Sequence, residues 1–298
     1  NSLKEQKEPS VAFGGQAVIE GVMIRSRKHM VICIKQPNKQ ILKKVEEIKS
    51  ISERHKVLRA PFLRGIIALF ENLYLGIKGL LFSANANIEE GEKLNTKEAV
   101  LTVVFAFALA IFLFTLLPFF ITTFLSGTLN LSGTPFYIVE SIIRIGIFLA
   151  YLAAISLIEE FRRVLQYHGA EHMAINAYEA GIDLTVQEAK KFSRFHPRCG
   201  TSFLFTVLLI TIILLSLMPN LGFYMNVAYR ILLIPVIGAI SYEILRFSDK
   251  YRNSKIMKAL VAPGLALQYL TTKKPDDEMI EVALEAIKEA DRLSKAIS

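Results

Sequence analysis

The stretch AVLTVVFAFALAIFLFTLLPFFITTFL, from Ala99 to Leu125, contains no charged side chain. A helix of this length, at about 1.5 Å of rise per residue, is longer than the roughly 30 Å hydrocarbon core of a bilayer. Three further segments are predominantly apolar: residues 135–158, 202–218 and 227–245. The sequence therefore predicts an α-helical integral membrane protein with about four transmembrane helices, in pairs over residues 99–158 and 202–245.

Lysine and arginine predict the orientation of these helices. The loops at residues 126–133 and 219–226 contain neither, whereas residues 159–201 and 246–274 contain many. Cationic loops stay on the cytoplasmic side, so we expect a multi-pass protein with cytoplasmic N and C termini. The 298-residue chain has a net charge of +8, which anionic lipid headgroups explain first because no specific nucleic-acid motif is present. Its two cysteines predict no disulfide framework.

The segments before and after the spans have their own patterns. Within residues 1–58, the alternating runs AVIEGVMIRS, MVICIK and QILKKV predict three short strands in a small cytoplasmic antiparallel β element. Residues 60–82 are apolar with charges every seven residues, at Arg64, Glu71 and Lys78. One polar stripe predicts an amphipathic helix lying in the membrane interface, with a fifth span as the alternative. Residues 246–298 predict a cytoplasmic helical tail.

Residues 159–201, between the second and third spans, predict a cytoplasmic helical hairpin. The first arm has helical periodicity and ends near Gly181, a typical residue after a helix. The sequence from Thr185 to Glu188 has the pattern of a capping box, which predicts a second helix up to about Phe195. Antiparallel arms would bring residues from the ends of the hairpin to the same level.

Three histidines and a cysteine lie in this hairpin. His168 and His172 are one helical turn apart, and Glu171 completes H-x-x-E-H, the reverse of the zincin motif. We predict a divalent metal site, with zinc favoured, held by this pair and by either His196 or Cys199. The alternatives are a polar cluster that pins the hairpin, with Cys199 a small buried residue, or a cysteine nucleophile.

Other polar residues are weaker candidates. Arg198 could polarise an oxyanion or hold an anionic headgroup, and Glu243 could reach the site as an extra ligand. Glu140 and Arg144 form an i, i+4 pair within the second predicted span, which indicates either a functional site or mutual neutralisation. The segment GGQAVIEG permits an unusual turn but lacks the spacing of a phosphate-binding loop.

Four strings in the chain resemble the YqhQ-type family of bacterial membrane proteins, which is described as a family of predicted metal-dependent enzymes of unknown function. The strings are GGQAVIEGVMIRS, YHGAEHMAINAYE, HPRCGTSF and LTTKKPDDEMIEVA. Together they extend over nearly the whole chain. The resemblance implies a protein of the bacterial cytoplasmic membrane and implies no particular substrate.

Three functions are compatible with these features. The first is a membrane-embedded metal-dependent hydrolase, with Glu171 activating water or orienting a ligand, and with peptide or lipid ester substrates. The second is an accessory or scaffold protein of membrane-protein biogenesis, associated with a translocon or ribosome, in which the metal is structural. The third, a transporter, is the weakest because it needs charges across several spans.

Overall fold

The structure is a computed structural model, and it describes residues 13–51, 56–86, 96–218, 222–251 and 254–296. The outer parts of the predicted β element and helical tail therefore lie outside the described residues.

The small antiparallel β element near the N terminus is confirmed, with a different strand count. Four strands pair in sequence order: β1 Gly14–Val18, β2 Gly21–Arg25, β3 His29–Lys35 and β4 Ile41–Glu47. The prediction of three strands is wrong because AVIEGVMIRS turns back on itself at Ile19 and Glu20, where Val18 pairs with Gly21. Glu20 has a φ of 52°, in the left-handed region where tight turns are made.

Helices make up most of the described chain. In order they are α1 Leu63–Ala86, α2 Thr96–Ile111, α3 Leu117–Leu129, α4 Thr134–Ile155, α5 Glu159–Glu179, α6 Val186–Ala189, α7 Gly200–Ser216, α8 Phe223–Lys250, α9 Lys255–Thr271 and α10 Asp277–Lys295. A π-helical turn, Phe112–Leu116, joins α2 to α3. Pro118 follows it, and a proline has no N–H to bond the carbonyl four residues earlier, which explains the local irregularity.

The sheet is the middle layer of three. On one face Val31 and Cys33 of β3 pack in a core with residues of α5 and α10. On the other face Met30, Ile32 and Ile34 pack against residues of α1. Burial on both faces explains why β3 reads as a continuous apolar run instead of an alternating one.

Four stretches are long and apolar enough to cross a membrane by length and composition: α1, Lys97–Leu129, α4 and Phe223–Ser248 of α8. They suggest a membrane protein. The number agrees with the prediction, but the members differ. The predicted third span, residues 202–218, forms the 17-residue α7, which is shorter than the other four, whereas α1 is 24 residues long.

The charged stripe of α1 exists, but it faces other parts of the protein. Its three ion pairs are Arg64 with Glu243 of α8, Glu71 with Arg25 of β2, and Lys78 with Glu46 of β4. The same helix also carries exposed aromatic side chains at Phe70 and Tyr74. The stripe thus attaches α1 to the sheet and to α8, while the position of α1 in the membrane interface stays a prediction.

A cluster of three charges links α4 to α8. Arg230 donates from Nη1 and Nη2 to the two carboxylate oxygens of Glu140, at 2.5 and 2.9 Å, and Arg144 also pairs with Glu140. All three side chains are buried, and the Arg230 guanidinium lies 4.3 Å from the ring centroid of Phe119. The predicted neutralisation of Glu140 by Arg144 is therefore only part of the arrangement. The cluster contains two cations and one anion.

The second arm of the hairpin is shorter than predicted. Thr185 caps α6 by accepting from the Glu188 N–H, but α6 is a single turn that ends at Ala189. The carbonyls of Ser193 and Phe195 accept from the Asn176 side chain of α5. Residues 190–198 form an irregular segment that is bonded to α5 through these carbonyls.

Candidate metal centre

Helix α5 carries most of the candidate site. His168 and His172 project from one side of it, with ring centroids 4.4 Å apart. Gly169 lies against the chain that follows α9, where a β-carbon would overlap the carbonyl oxygen of Lys273. A hydrogen bond stabilises this contact between α5 and the chain after α9: the Lys273 N–H donates to the Leu165 carbonyl at 2.8 Å. Glycine at position 169 thus lets the end of α9 reach the histidine pair.

Two backbone carbonyls set the tautomers of the histidine pair. Nδ1 of His168 lies 2.7 Å from the carbonyl oxygen of Thr271, and Nδ1 of His172 lies 2.6 Å from that of Arg194. A carbonyl oxygen can only accept, so each neutral ring carries its proton on Nδ1 and presents the lone pair of Nε2. The same arrangement orients metal-binding histidines in proteins.

Cys199 completes a group of three potential ligands. It occupies the N-cap position of α7, where its sulfur accepts from the Thr201 N–H and hydroxyl. Its Sγ lies 3.1 Å from Nε2 of His168, and one ligand atom from each of His168, His172 and Cys199 lies within 4.8 Å of the others. Two imidazole nitrogens and one sulfur are a donor set that zinc accepts, so these residues fit a zinc ion.

His196, the alternative third ligand, lies beside this group. Its ring centroid is 5.7 Å from that of His172, and its Nε2 is 3.5 Å from a carboxylate oxygen of Glu179. Gln268 of α9 holds its backbone on both sides, accepting from the His196 N–H at 2.9 Å and donating to its carbonyl at 2.8 Å. Of the two predicted alternatives, the structure brings Cys199 to the histidine pair.

Glu171 is buried next to the group, with 4% of its surface exposed. Burial raises the pKa of its carboxyl, while the nearby His168 and His196 oppose this shift. Within the described chain its Oε2 has no hydrogen-bond partner. A buried carboxyl with a raised pKa and an unused oxygen has the features of a general acid or base.

Burial also lowers the pKa of His172, an effect that the adjacent Cys199 partly opposes. Nε2 of His172 has no partner at hydrogen-bonding geometry among the described residues, even though the Cys199 thiol lies close by. Both observations favour a neutral imidazole with a free lone pair. Metal ions bind that form of histidine.

The remaining predicted residues are held elsewhere. Arg198 pairs with Glu179 at the end of α5 and lines a neighbouring cleft. Glu243, considered as an extra ligand, accepts from Nε of Arg64 at 2.8 Å and from the Phe62 N–H. The structure therefore separates Glu243 from the histidine and cysteine group.

Gly15 of β1 is a residue of the site that sequence reasoning did not assign. A β-carbon there would overlap the carboxylate of Glu171, whereas a β-carbon at Gly14 would have nothing within 4 Å. The adjacent glycines in GGQAVIEG were the available signal. Gln268, Thr271 and Gly169 were also not assigned, because they act through backbone groups or through the absence of a side chain.

We expect Gly15→Ala to displace the Glu171 carboxylate and to lower the free energy of unfolding by about 1–3 kcal/mol, as overpacking typically does. Gly14→Ala is the matched control and should change it by less than about 0.5 kcal/mol. Thermal unfolding of the full chain in detergent measures both. Equal stability of the two variants would contradict the close packing of Glu171 on β1.

The fold and the cluster together define a class of protein. It is a mostly helical chain with four helices apolar enough to span a membrane, and it has a small layered domain made of the β-sheet, α5, α6 and α10, beside which a His–His–Cys group lies. The chain belongs to the YqhQ-type family of proteins of unknown function, as the resemblance predicted, and the family model "Protein of unknown function (DUF1385)" matches residues 60–292. It is 36% identical over 311 residues to "Uncharacterized protein YqhQ" of Bacillus subtilis, across 98% of this chain and 95% of that protein. No solved structure matches the chain.

Proposed function

We propose that the protein is a membrane-embedded, metal-dependent hydrolase with its site at the cytoplasmic face. The observation that carries this proposal is the convergence of His168 Nε2, His172 Nε2 and Cys199 Sγ, with both histidines oriented by backbone carbonyls. Three protein ligands leave the fourth position of a tetrahedral zinc ion open, which is typical of catalytic sites. When bound, the ion would supply Lewis-acid activation of water or of the substrate's reacting group.

Glu171 is the proposed general base. Its carboxyl lies near His168 and His196, whose charges affect its pKa, and its Oε2 is unused among the residues described. The backbone of Gly15 in β1 packs closely against this carboxyl. Arg198, fixed by Glu179, is the proposed group that holds the anionic part of a substrate.

The proposed topology keeps four transmembrane helices: Lys97–Leu129, α4, α7 and α8, with both termini in the cytoplasm of a bacterial cell. The cationic segments 159–201 and 246–274 support this orientation. The 17 residues of α7 reach the lower end of the range for a span, about 17–25 residues. With this topology α5, the sheet and α10 lie on the cytoplasmic side.

A second candidate function is an accessory or scaffold protein of membrane-protein biogenesis in which the metal is structural. The burial of the group favours this alternative, since His172 is 1% exposed and Cys199 6% exposed. A structural zinc needs no access to substrate. A translocon or ribosome is the kind of partner proposed in that case.

One substitution separates the two functions. Glu171→Gln keeps the size of the side chain and all three ligands, so both functions predict full zinc content by elemental analysis. If the protein is a hydrolase, turnover should fall by roughly 10²–10⁴-fold, the usual contribution of a general base. The substrate should then accumulate in membranes that contain the variant.

The readout is mass spectrometry of lipids and peptides from bacterial membranes that contain either the wild-type protein or Glu171→Gln. A lipid or peptide that is depleted with the wild type and accumulates with the variant supports the hydrolase. Identical membranes, with zinc retained in both proteins, contradict the hydrolase and favour the scaffold. Loss of zinc from the variant would instead show that Glu171 orients the ligands.

A further inference from the structure

A cleft of about 360 Å³ lies next to the candidate metal centre. Its walls come from the end of α8 and from α9, with the loop before Cys199 at one end. Its apolar lining includes Leu245, Met257, Val261 and Leu265. Its volume is within the range of about 300–1,000 Å³ typical of small-molecule sites, so it has room for part of an amphiphile.

Cations dominate the charged lining of this cleft. Arg198, Arg246 and Lys258 line it, and the carboxylate that lines it, Glu179, is paired with Arg198. Neither Arg246 nor Lys258 has an ion-pair partner within the part of the chain that the structure describes. Glu243, one turn before Arg246 on α8, is held by Arg64. Arg246 and Lys258 therefore make no ion pair with the described residues, and the carboxylate that attracts Arg246 at longer range, Glu243, is already bonded to Arg64.

The cleft lies where an apolar helix ends. Leu245 is near the end of the stretch of α8 that is apolar enough to cross a membrane, and Arg246 follows it directly. Leu265 is one turn before Gln268, which holds the backbone of His196. An apolar wall that continues into a cationic rim matches the boundary between acyl chains and headgroups.

We propose that this cleft binds one anionic phospholipid of the cytoplasmic leaflet. The phosphate lies between Arg246 and Lys258, and the first part of one acyl chain lies along Val261 and Leu265. A whole two-chain lipid is larger than the cleft, so the rest of the lipid remains in the bilayer. The inference uses the proposed orientation of α8 and needs no metal and no catalysis.

The test uses the full chain in detergent and dioleoyl phosphatidylglycerol as the probe. Native mass spectrometry measures how much of this lipid the protein retains, in competition with dioleoyl phosphatidylcholine. We expect one retained anionic lipid and a preference of at least about tenfold over the zwitterionic lipid. Glycerol 1-phosphate, which has the headgroup chemistry without chains, should not displace it.

Arg246→Gln combined with Lys258→Gln should abolish this preference. The matched control removes two exposed lysines from the layered domain, Lys191→Gln and Lys295→Gln, and should keep it. Val261→Trp fills the wall without changing charge, and it should reduce binding of both lipids. Zinc content and thermal unfolding are measured on the same samples. A loss of lipid binding at unchanged zinc content and unchanged stability can then be assigned to the cleft.

Equal preference in the cleft variant and in the control would overturn the proposal. Displacement by glycerol 1-phosphate would also overturn it, because it would make the cleft a site for a soluble phosphate. Failure of the hydrolase test leaves the lipid result unaffected, since retention of the lipid is measured without turnover.

Discussion

Glu140→Gln is expected to destabilise the helical part of the protein by about 3–5 kcal/mol, the usual result of removing one partner from a buried ion cluster. The glutamine has the same size, but it leaves Arg144 and Arg230 without a counter-charge. Both guanidinium groups are buried, with 3% and 1% of their residue surface exposed. Nε and Nη1 of Arg144 already have no hydrogen-bond partner among the described residues. Thermal unfolding of the full chain in detergent is the measurement.

Replacing the whole cluster gives the control. Glu140→Leu, Arg144→Leu and Arg230→Leu together remove every buried charge of the cluster, and such a replacement is often neutral or stabilising. Glu188→Gln removes an exposed acid paired with Lys191 and should have an effect of less than about 1 kcal/mol. If Glu140→Gln were as stable as Glu188→Gln, the cluster would not be a buried ion cluster in the folded protein.

Cys199→Ala is expected to cause the largest loss of metal affinity. It removes one of the three ligand atoms, so the dissociation constant for zinc should rise by more than the roughly 10–100-fold that loss of a supporting group typically costs. The helix cap at the start of α7 is lost as well, because the Cys199 sulfur accepts from the Thr201 N–H. Competition with a chromophoric zinc chelator measures the affinity, and circular dichroism shows whether α7 persists.

Cys33→Ala is the control for the cysteine substitution. Cys33 is fully buried in β3, and burial raises the pKa of its thiol to about 12, so it stays protonated and does not bind metal ions readily. Zinc affinity should be unchanged in this variant even if the core loses some stability. A wild-type affinity in Cys199→Ala would show that the sulfur is not a ligand.

Local patterns of composition and helical periodicity predicted much of the fold. The uncharged run from Ala99 to Leu125 became α2, the π-helical turn and α3 because its length and composition suit few other structures. The predicted helical tail contains α10, an amphipathic helix with Ile280, Leu284 and Ile287 buried. The histidine pair followed from the periodicity of α5, because residues four apart in a helix share a face.

The features that were not predicted depend on contacts between distant segments. The choice between His196 and Cys199 depends on the path of the irregular segment after α6, whose carbonyls at residues 193–195 bond to His172 and Asn176 of α5. The first strand pair depends on a left-handed conformation at Glu20, which is not a glycine, although Gly21 follows it directly. The sequence did not identify Arg230 as part of the charged cluster. Its partner, Glu140, lies on a different helix, and the two residues meet only in the folded protein.

X-ray absorption at the zinc edge of the purified, zinc-loaded wild-type protein tests the metal centre most directly. The geometry of His168, His172 and Cys199 predicts one zinc ion per chain, with one sulfur at about 2.3 Å and two imidazole nitrogens at about 2.0 Å. A shell of nitrogen and oxygen without sulfur, or a protein that retains no zinc after dialysis, would contradict it.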